Sequence, residues 1–218
     1  MTTRLAVFDC DGTLSDGQAA VCTAMAGAFA GSGLACPPGH AVRRIVGLSL
    51  PVALRRLAPE AAPEQVDLLV AAYKDEFFRL RSEGQVHEPL FEGIADLLGR
   101  LAARGWTLGV ATGKSDRGLS STLAMHGLSG LFATLQTADR HPSKPDPAML
   151  HAAMAEAGAA PAQTVMIGDT AFDIEMARSA GVRAIGVAWG YHAPEELIAA
   201  GAEAVAGTAA ELGALIDG

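Results

Sequence analysis

The feature that most constrains this chain is a repeated alternation between short apolar runs and longer segments with helical periodicity. The apolar runs end in Asp, Gly or Thr and predict strands at 5–8, 107–111, 131–136, 164–167 and 182–187. Strands that alternate with helices pair in parallel and carry helices on their faces. We therefore expect an α/β fold with a three-layer core built on a parallel sheet.

The helical segments differ along the chain. Residues 91–104 place four apolar side chains on one stripe, and Gly105 follows as a stop signal, as expected for a helix that crosses over between strands. Residues 17–87 contain helical patterns without a strand between them. We predict that 1–16 and 88–218 form the α/β core and that 17–87 form an inserted α-helical cap.

The clearest helix of the predicted cap begins after Pro63, a favourable residue for a first turn. It places six apolar or aromatic side chains on one side, namely Val66, Leu69, Val70, Tyr73, Phe77 and Leu80. Such a stripe could line a substrate pocket, but packing inside a small helical bundle is the favoured interpretation.

Composition narrows the function classes. The chain has 218 residues, half of them hydrophobic, and 24 acidic against 16 basic residues give a formal charge of −8. This length and hydrophobicity disfavour disorder, and the acidic balance disfavours nucleic acid as a partner. No run resembles a membrane helix or a secretory signal, so we expect a cytoplasmic protein without membrane contact. Three cysteines without a CxxC pair predict neither disulfides nor a zinc site. The sequence is compatible with a monomer or a homodimer.

The strongest chemical signal follows the first predicted strand, in the run Asp9-Cys10-Asp11-Gly12-Thr13-Leu14. Side chains at i and i+2 of an extended chain point the same way, so Asp9 and Asp11 address one ligand if the strand geometry persists. Two carboxylates this close repel each other unless a cation or a proton intervenes. The alternative is a turn in which these Asp residues merely cap a following helix.

A second acidic pair, Asp169 and Asp173, follows another apolar run in the segment Gly168-Asp169-Thr170-Ala171-Phe172-Asp173. The carboxyl ends of parallel strands gather on one side of a sheet, so this pair is expected to converge with Asp9 and Asp11. Four carboxylates demand a hard cation, and Mg²⁺ suits oxygen ligands together with a substrate phosphate. Helix capping by Asp169 is the alternative for this pair.

Two weaker signals complete the pattern. Thr112 and Gly113 end a predicted strand, where a hydroxyl and an amide could hold a phosphoryl oxygen. Lys144 precedes Pro145, which disfavours a helical conformation and favours an extended backbone at this lysine. A fixed lysine could counter the charge of a transferring group. An ordinary solvated lysine is the alternative.

Together these four elements resemble the haloacid dehalogenase superfamily of phosphatases, whose order is DxDGT, then Thr or Ser, then Lys, then GDxxxD. The resemblance extends over essentially the whole chain, because the helical segment lies where the phosphoglycolate phosphatase-like branch inserts its cap. It implies a Rossmann-like core and Mg²⁺ as cofactor. Asp11 favours phosphatases over dehalogenases and phosphonate hydrolases of the family, which lack this aspartate, but it does not exclude phosphomutases.

By this resemblance, Asp9 is expected to be the nucleophile that forms an aspartyl phosphate, and Asp11 the acid and later the base. Asp9 and Asp169, with the Asp11 carbonyl, would hold Mg²⁺. Thr112 and Lys144 would bind phosphoryl oxygens. Asp173 would orient Lys144 or a metal-bound water. The metal-site prediction thus comprises Asp9, Asp11, Asp169 and Asp173, and Cys10 and Gly113 are added as substrate-binding positions.

The segment Arg43-Arg44-Ile45-Val46-Gly47 resembles a cap segment of the phosphoglycolate phosphatase-like group, in which a basic residue and a glycine approach the substrate. Arg43, Arg44 and Gly47 are therefore predicted to bind substrate. A solvated helix face is an equal alternative for both arginines.

The sequence thus favours hydrolysis of a small phosphorylated metabolite such as phosphoglycolate. A phosphomutase of the β-phosphoglucomutase type and a non-catalytic binding module stay open as alternatives.

Overall fold

A computed structural model of the protein describes residues 3–217. It contains one six-stranded sheet, in which every strand pairs in parallel with its neighbours in the order β3-β2-β1-β4-β5-β6. The strands are β1 (Arg4–Phe8), β2 (Trp106–Thr112), β3 (Thr134–Thr137), β4 (Thr164–Gly168), β5 (Arg183–Val187) and β6 (Ala204–Ala206).

Ten α-helices accompany the sheet within the described range, with a short 3₁₀ turn at Pro161–Gln163. They are α1 (Gln18–Ala30), α2 (Gly39–Arg43), α3 (Leu50–Leu57), α4 (Pro63–Ser82), α5 (Ile94–Ala103), α6 (Asp116–Met125), α7 (Ala148–Ala157), α8 (Ala171–Ser179), α9 (Pro194–Ala200) and α10 (Ala209–Asp217).

Alternate residues of the buried central strand β1 serve two separate apolar layers, as the period of two in a strand requires. Ala6 and Phe8 belong to a cluster with side chains of α5, α6 and α10, whereas Leu5 and Val7 belong to a cluster with α7, α8 and α9. The sheet is thus covered on both faces, and the predicted three-layer, Rossmann-like α/β fold is confirmed.

Helices α1 to α4 pack around apolar clusters of their own. On α4 the stripe predicted from the sequence faces this bundle: Val66, Leu69 and Leu80 are buried, and Tyr73 stacks on Phe77 with ring centroids 5.8 Å apart. The stripe therefore packs the bundle, as favoured above. The exact division of the chain into a core and a cap at 17–87 stays a prediction.

Two details of the sheet differ from the sequence prediction. The third strand begins at Thr134, because the apolar residues before it form a turn after α6, where Leu131 N–H donates to Leu128 O. Their apolar character reflects burial of Phe132 in the core rather than strand pairing. The sixth strand, β6, was not predicted, since three residues are too few to give a pattern.

Within residues 3–217 no helix combines the length and apolar character that a membrane crossing needs.

Candidate active site

The register of the sheet brings the separate motifs to one edge. Phe8 lies opposite Val110 on β2 and opposite Ile167 on β4, so the residues that follow these three strands are neighbours in space. Asp9 follows β1, Thr112 ends β2, and Asp169 follows β4. Because all strands are parallel, their carboxyl ends meet at one edge of the sheet, as expected from the sequence, and the region between these ends is called the crevice below.

Asp9 is fully buried, and its two carboxylate oxygens differ. Oδ1 accepts a hydrogen bond from the Cys10 N–H at 2.6 Å and lies 2.9 Å from the Lys144 ammonium. Oδ2 is buried and has no hydrogen-bond partner in the described part of the chain. Burial raises the pKa of this carboxyl and Lys144 lowers it, with a net rise. An oriented carboxylate with one free oxygen is suited to bind a cation or attack an electrophile.

Lys144 is also buried, and its ammonium bridges two carboxylates. It donates to Asp173 Oδ1 at 2.6 Å and lies beside Asp9. The second oxygen of Asp173 accepts from the backbone N–H and the hydroxyl of Thr170, at 3.1 and 2.7 Å, at the start of α8. Both Asp173 oxygens are therefore held by donors, an arrangement that orients Lys144.

Asp169 is held in a similar way. Its Oδ1 accepts from the Thr13 hydroxyl at 2.8 Å, and its Oδ2 accepts from the Tyr191 N–H at 2.9 Å. A Cβ atom at Gly12 or Gly190 would lie 2.1 or 2.2 Å from atoms of this side chain, so both glycines make room for it.

The structure brings three of the predicted metal ligands together. Asp9, Asp169 and Asp173 each offer a carboxylate oxygen, and these atoms lie within 4.8 Å of one another. All are hard oxygen donors, and Asp9 Oδ2 is unpartnered, which fits a Mg²⁺ ion. The described cluster does not include Asp11. The assignment of Mg²⁺, and of Asp9, Asp11, Asp169 and Asp173 as its ligands, stays a prediction.

Asp11 is largely buried and lies beside a different lysine from Asp9. Its Oδ1 lies 3.0 Å from the Lys114 ammonium, which also donates to Glu88 Oε1 at 2.7 Å. The sequence analysis did not assign a role to Lys114 or Glu88. Lys114 could have been noticed because it directly follows the Thr-Gly pair. Glu88 stands alone near the border of the predicted cap and gives no such signal.

Thr112 is buried, and its hydroxyl accepts a hydrogen bond from the Lys114 N–H at 3.2 Å. At Gly113 the backbone is approached closely by the segment 43–49, which runs over the crevice. A Cβ atom at Gly113 would lie 2.5 Å from the Leu48 carbonyl oxygen, and one at Gly47 would lie 3.7 Å from Asp9 Oδ2. Gly47 thus reaches the predicted site, as expected from the sequence.

The two arginines of this segment are exposed and point elsewhere. Arg44 forms a two-bond ion pair with Glu196, at 2.6 and 3.1 Å, and the Arg43 guanidinium lies near Gly39 and Cys22. Neither guanidinium contacts the carboxylates of the crevice in this structure. Their predicted role in substrate binding is therefore untested and requires a rearrangement of these side chains.

Segment 43–49 is tied down by further bonds that the sequence did not indicate. His192 Nδ1 accepts from the Ala171 N–H at 3.1 Å, so Nε2 carries the proton and donates to the Arg44 carbonyl at 3.1 Å. The Ser49 N–H donates to Ser143 Oγ at 2.9 Å. These contacts hold the segment against the sheet edge.

The loop after β5 also contributes unforeseen residues. The Trp189 indole N–H donates to the Thr13 carbonyl at 3.1 Å, and Tyr191 binds Asp169 through its backbone. The Tyr191 hydroxyl is buried and has no hydrogen-bond partner among residues 3–217. Burial and the nearby carboxylates, Asp11 first among them, raise the pKa of this phenol, which stays protonated.

Cys10 lies between the two acidic residues of the first motif. Its N–H orients Asp9, while its thiol is buried 3.8 Å from Ser15 Oγ. Burial raises the pKa of the thiol well above its ordinary value. A protonated, buried thiol is a poor nucleophile, which leaves the carboxylates of this motif as its candidate nucleophiles.

The fold and this site define a Rossmann-like α/β enzyme with an acidic centre at the carboxyl edge of its sheet. Comparison with known proteins agrees: the model of the haloacid dehalogenase-like hydrolase family matches residues 6–187. The chain belongs to this family, which confirms the resemblance found in the sequence.

Two curated relatives are similar over most of their length. A probable phosphatase, IndB, from Dickeya dadantii (strain 3937) is 36% identical over 211 residues, which cover 95% of this chain and 91% of the relative. A phosphoglycolate phosphatase from Pseudomonas syringae pv. syringae (strain B728a) is 32% identical over 193 residues, covering 87% and 71%. The enzyme class predicted from the sequence, a hydrolase of phosphoric monoesters, agrees with both.

Among solved structures, the crystal structure of a predicted phosphatase from Clostridium acetobutylicum superposes with a TM-score of 0.88. It covers 99% of each chain at 23% identity, so it supports the fold alone.

Proposed function

We propose that this protein is a Mg²⁺-dependent phosphatase that hydrolyses a small phosphate monoester through a phosphoryl group carried transiently by Asp9. The observation that carries this proposal is the state of the Asp9 carboxylate. One oxygen is fixed by Cys10 and Lys144, and the other is buried, unpartnered in the described chain and turned toward no protein donor. Such an oxygen is ready to attack phosphorus.

The other residues have complementary roles in this proposal. Lys144 would neutralise charge on Asp9 and the transferring phosphoryl group, and the Thr112 hydroxyl and Gly113 amide would bind its oxygens. Asp11 would protonate the leaving group and then activate water. Asp9 and Asp169 would hold Mg²⁺, which when bound offsets the mutual repulsion of the carboxylates and the phosphate.

We infer a small substrate because the backbone of segment 43–49, at Gly47 and Leu48, lies against Asp9 and Gly113. Phosphoglycolate belongs among the first substrates tested, because one relative is named a phosphoglycolate phosphatase. Its carboxylate would need a cation, and Arg44 can supply one only if its pair with Glu196 opens. We also propose a cytoplasmic location, because the three cysteines are free thiols, which suit a reducing compartment.

The test is a screen of phosphorylated metabolites with Mg²⁺, which measures released phosphate and examines the products. We expect phosphate release from the wild type and a loss of at least about 10³-fold for Asp9→Asn, because the amide removes the nucleophile. Chelation by EDTA should abolish turnover and added Mg²⁺ should restore it. Isomer formation without free phosphate would instead identify a mutase, and wild-type turnover by Asp9→Asn would exclude Asp9 as nucleophile.

A further inference from the structure

Lys114 is a second lysine buried between carboxylates, outside the motif positions discussed above. Its side chain is 9% exposed, and its ammonium lies 3.0 Å from Asp11 Oδ1 and 2.7 Å from Glu88 Oε1. Both partners are acidic and largely or fully buried. An ammonium between two such carboxylates stays charged and gives up its freedom to move, so it is not available to bind a phosphoryl group itself.

Glu88 is fixed independently of Lys114. Its Oε2 accepts from the Thr122 hydroxyl on α6 at 3.0 Å and from Arg81 on α4 at 3.2 Å. Its backbone carbonyl accepts from His126 Nε2 at 2.7 Å. Glu88 is therefore held by donors on two helices and by the turn after α6, and it provides a rigid anchor for the lysine.

The chain also limits where Asp11 can lie. A Cβ atom at Gly17 would lie 2.8 Å from Asp11 Oδ1 and 3.3 Å from Glu88 Oε1, so these two carboxylates pack against the backbone that leads into α1. The Lys114 ammonium is the positive charge that permits Asp11 and Glu88 to approach each other here. Without it, repulsion from Glu88 would push the Asp11 carboxylate out of this orientation.

We propose that Lys114, anchored by Glu88, is the positioning residue that holds the Asp11 carboxylate in the orientation for proton transfer to the leaving group. This inference rests on the proposed function, in which Asp11 is the acid and base. Proton transfer requires hydrogen-bond distance between the acid and the leaving oxygen, and a displacement of about 1 Å costs roughly 10²-fold in rate.

The test compares Lys114→Met with the wild type on two esters by kcat/KM, which reports phosphoryl transfer to Asp9. An alkyl phosphate needs a proton on its leaving oxygen, whereas p-nitrophenyl phosphate expels a stable phenolate without one. We expect kcat/KM to fall about 100-fold for the alkyl ester and less than about fivefold for p-nitrophenyl phosphate. Asp11→Asn should show the same split, and Lys114→Arg should recover part of the alkyl ester activity.

The control is Lys74→Met, which removes an exposed lysine of α4 and should leave both values unchanged. If Lys114→Met does not fold, Lys114→Gln permits the same comparison, because it also removes the positive charge, leaves Glu88 charged and keeps a hydrogen-bond donor between the two carboxylates. An equal loss for both esters, or no loss, would overturn the inference. A crystal structure of Lys114→Met in which the Asp11 carboxylate has not moved would also overturn it, and this readout does not depend on an activity assay. Failure of the proposed function is distinct, since it would appear as absent wild-type turnover or as full activity of Asp9→Asn.

Discussion

The two sides of the crevice are built alike but from different parts of the chain. On the nucleophile side, named for the proposed role of Asp9, Lys144 bridges Asp9 and Asp173. Asp9 follows β1, Lys144 lies between β3 and α7, and Asp173 lies in α8. On the acid side, Lys114 bridges Asp11 and Glu88, and Glu88 is held from α4 as well as α6. The ion pairs of the nucleophile side are made by residues outside α1 to α4, although Gly47 lies close to Asp9, whereas the acid side includes a bond from Arg81 on α4 to Glu88. Under the proposed function, this difference separates phosphoryl transfer to Asp9 from protonation of the leaving group by Asp11.

The largest expected effect concerns Lys144→Met. It leaves Asp9 and Asp173 buried without their cation, so we expect turnover of every ester to fall about 10²- to 10³-fold, irrespective of the leaving group. Without added metal ion, the free energy of unfolding should fall by about 3 kcal/mol. Steady-state kinetics on both esters and urea unfolding check this. A loss confined to the alkyl ester would remove the distinction between the two sides.

The next effect concerns Glu88→Gln, which tests the anchor on the acid side. Burial alone would raise the pKa of Glu88, but Lys114, Thr122 and Arg81 lower it below its ordinary value. A carboxyl whose pKa is lowered in the folded state stabilises the fold at neutral pH. This contribution to the free energy of unfolding is lost as pH falls through the lowered pKa.

We therefore expect Glu88→Gln to lower the free energy of unfolding by about 1–3 kcal/mol at pH 7. The difference from the wild type should shrink as pH falls below the ordinary Glu pKa of 4.5 and through the lowered pKa, as the wild-type carboxylate becomes protonated. Urea unfolding across this range measures both. A difference that is constant with pH would show that the charge of Glu88 is not what stabilises this side.

The smallest effect concerns Gly113→Ala, which should act on both sides equally. The added Cβ would meet the carbonyl oxygens of Gly47 and Leu48 at 2.6 and 2.5 Å, so the segment 43–49 must move away from the crevice. We expect kcat/KM to fall about tenfold for both esters, as an overpacked contact costs about 1–3 kcal/mol. Gly99→Ala on α5 is the matched control, because no atom lies within 4 Å of its Cβ position. An unequal loss between the esters would show that this segment serves one side alone.

The same contrast explains what the sequence could predict. Asp9, Asp169 and Lys144 could be found because each follows a short apolar strand or precedes a proline, and parallel strands bring such positions to one edge. These are local patterns with a general geometric consequence. The fold and the closeness of Asp9, Asp169 and Lys144 therefore followed from the sequence, whereas their chemical roles stay predictions.

The anchor of Asp11 could not be predicted from the sequence, because it depends on how α4 and α6 meet at Glu88. Glu88 has no local pattern, and its partners Arg81 and Thr122 lie 7 and 34 positions away in the sequence. Likewise, nothing in the sequence shows that Arg44 pairs with Glu196, 152 positions later. Side-chain partners that come from packing between elements have no signal in periodicity or spacing.

The close approach of segment 43–49 to Gly113 is made by main-chain oxygens, which every residue type supplies. Exchanging the Leu48 side chain would leave those oxygens in place, and the positive φ of Gly47, 98°, disfavours any side chain there, so attempts to engineer a new substrate range gain little at either position.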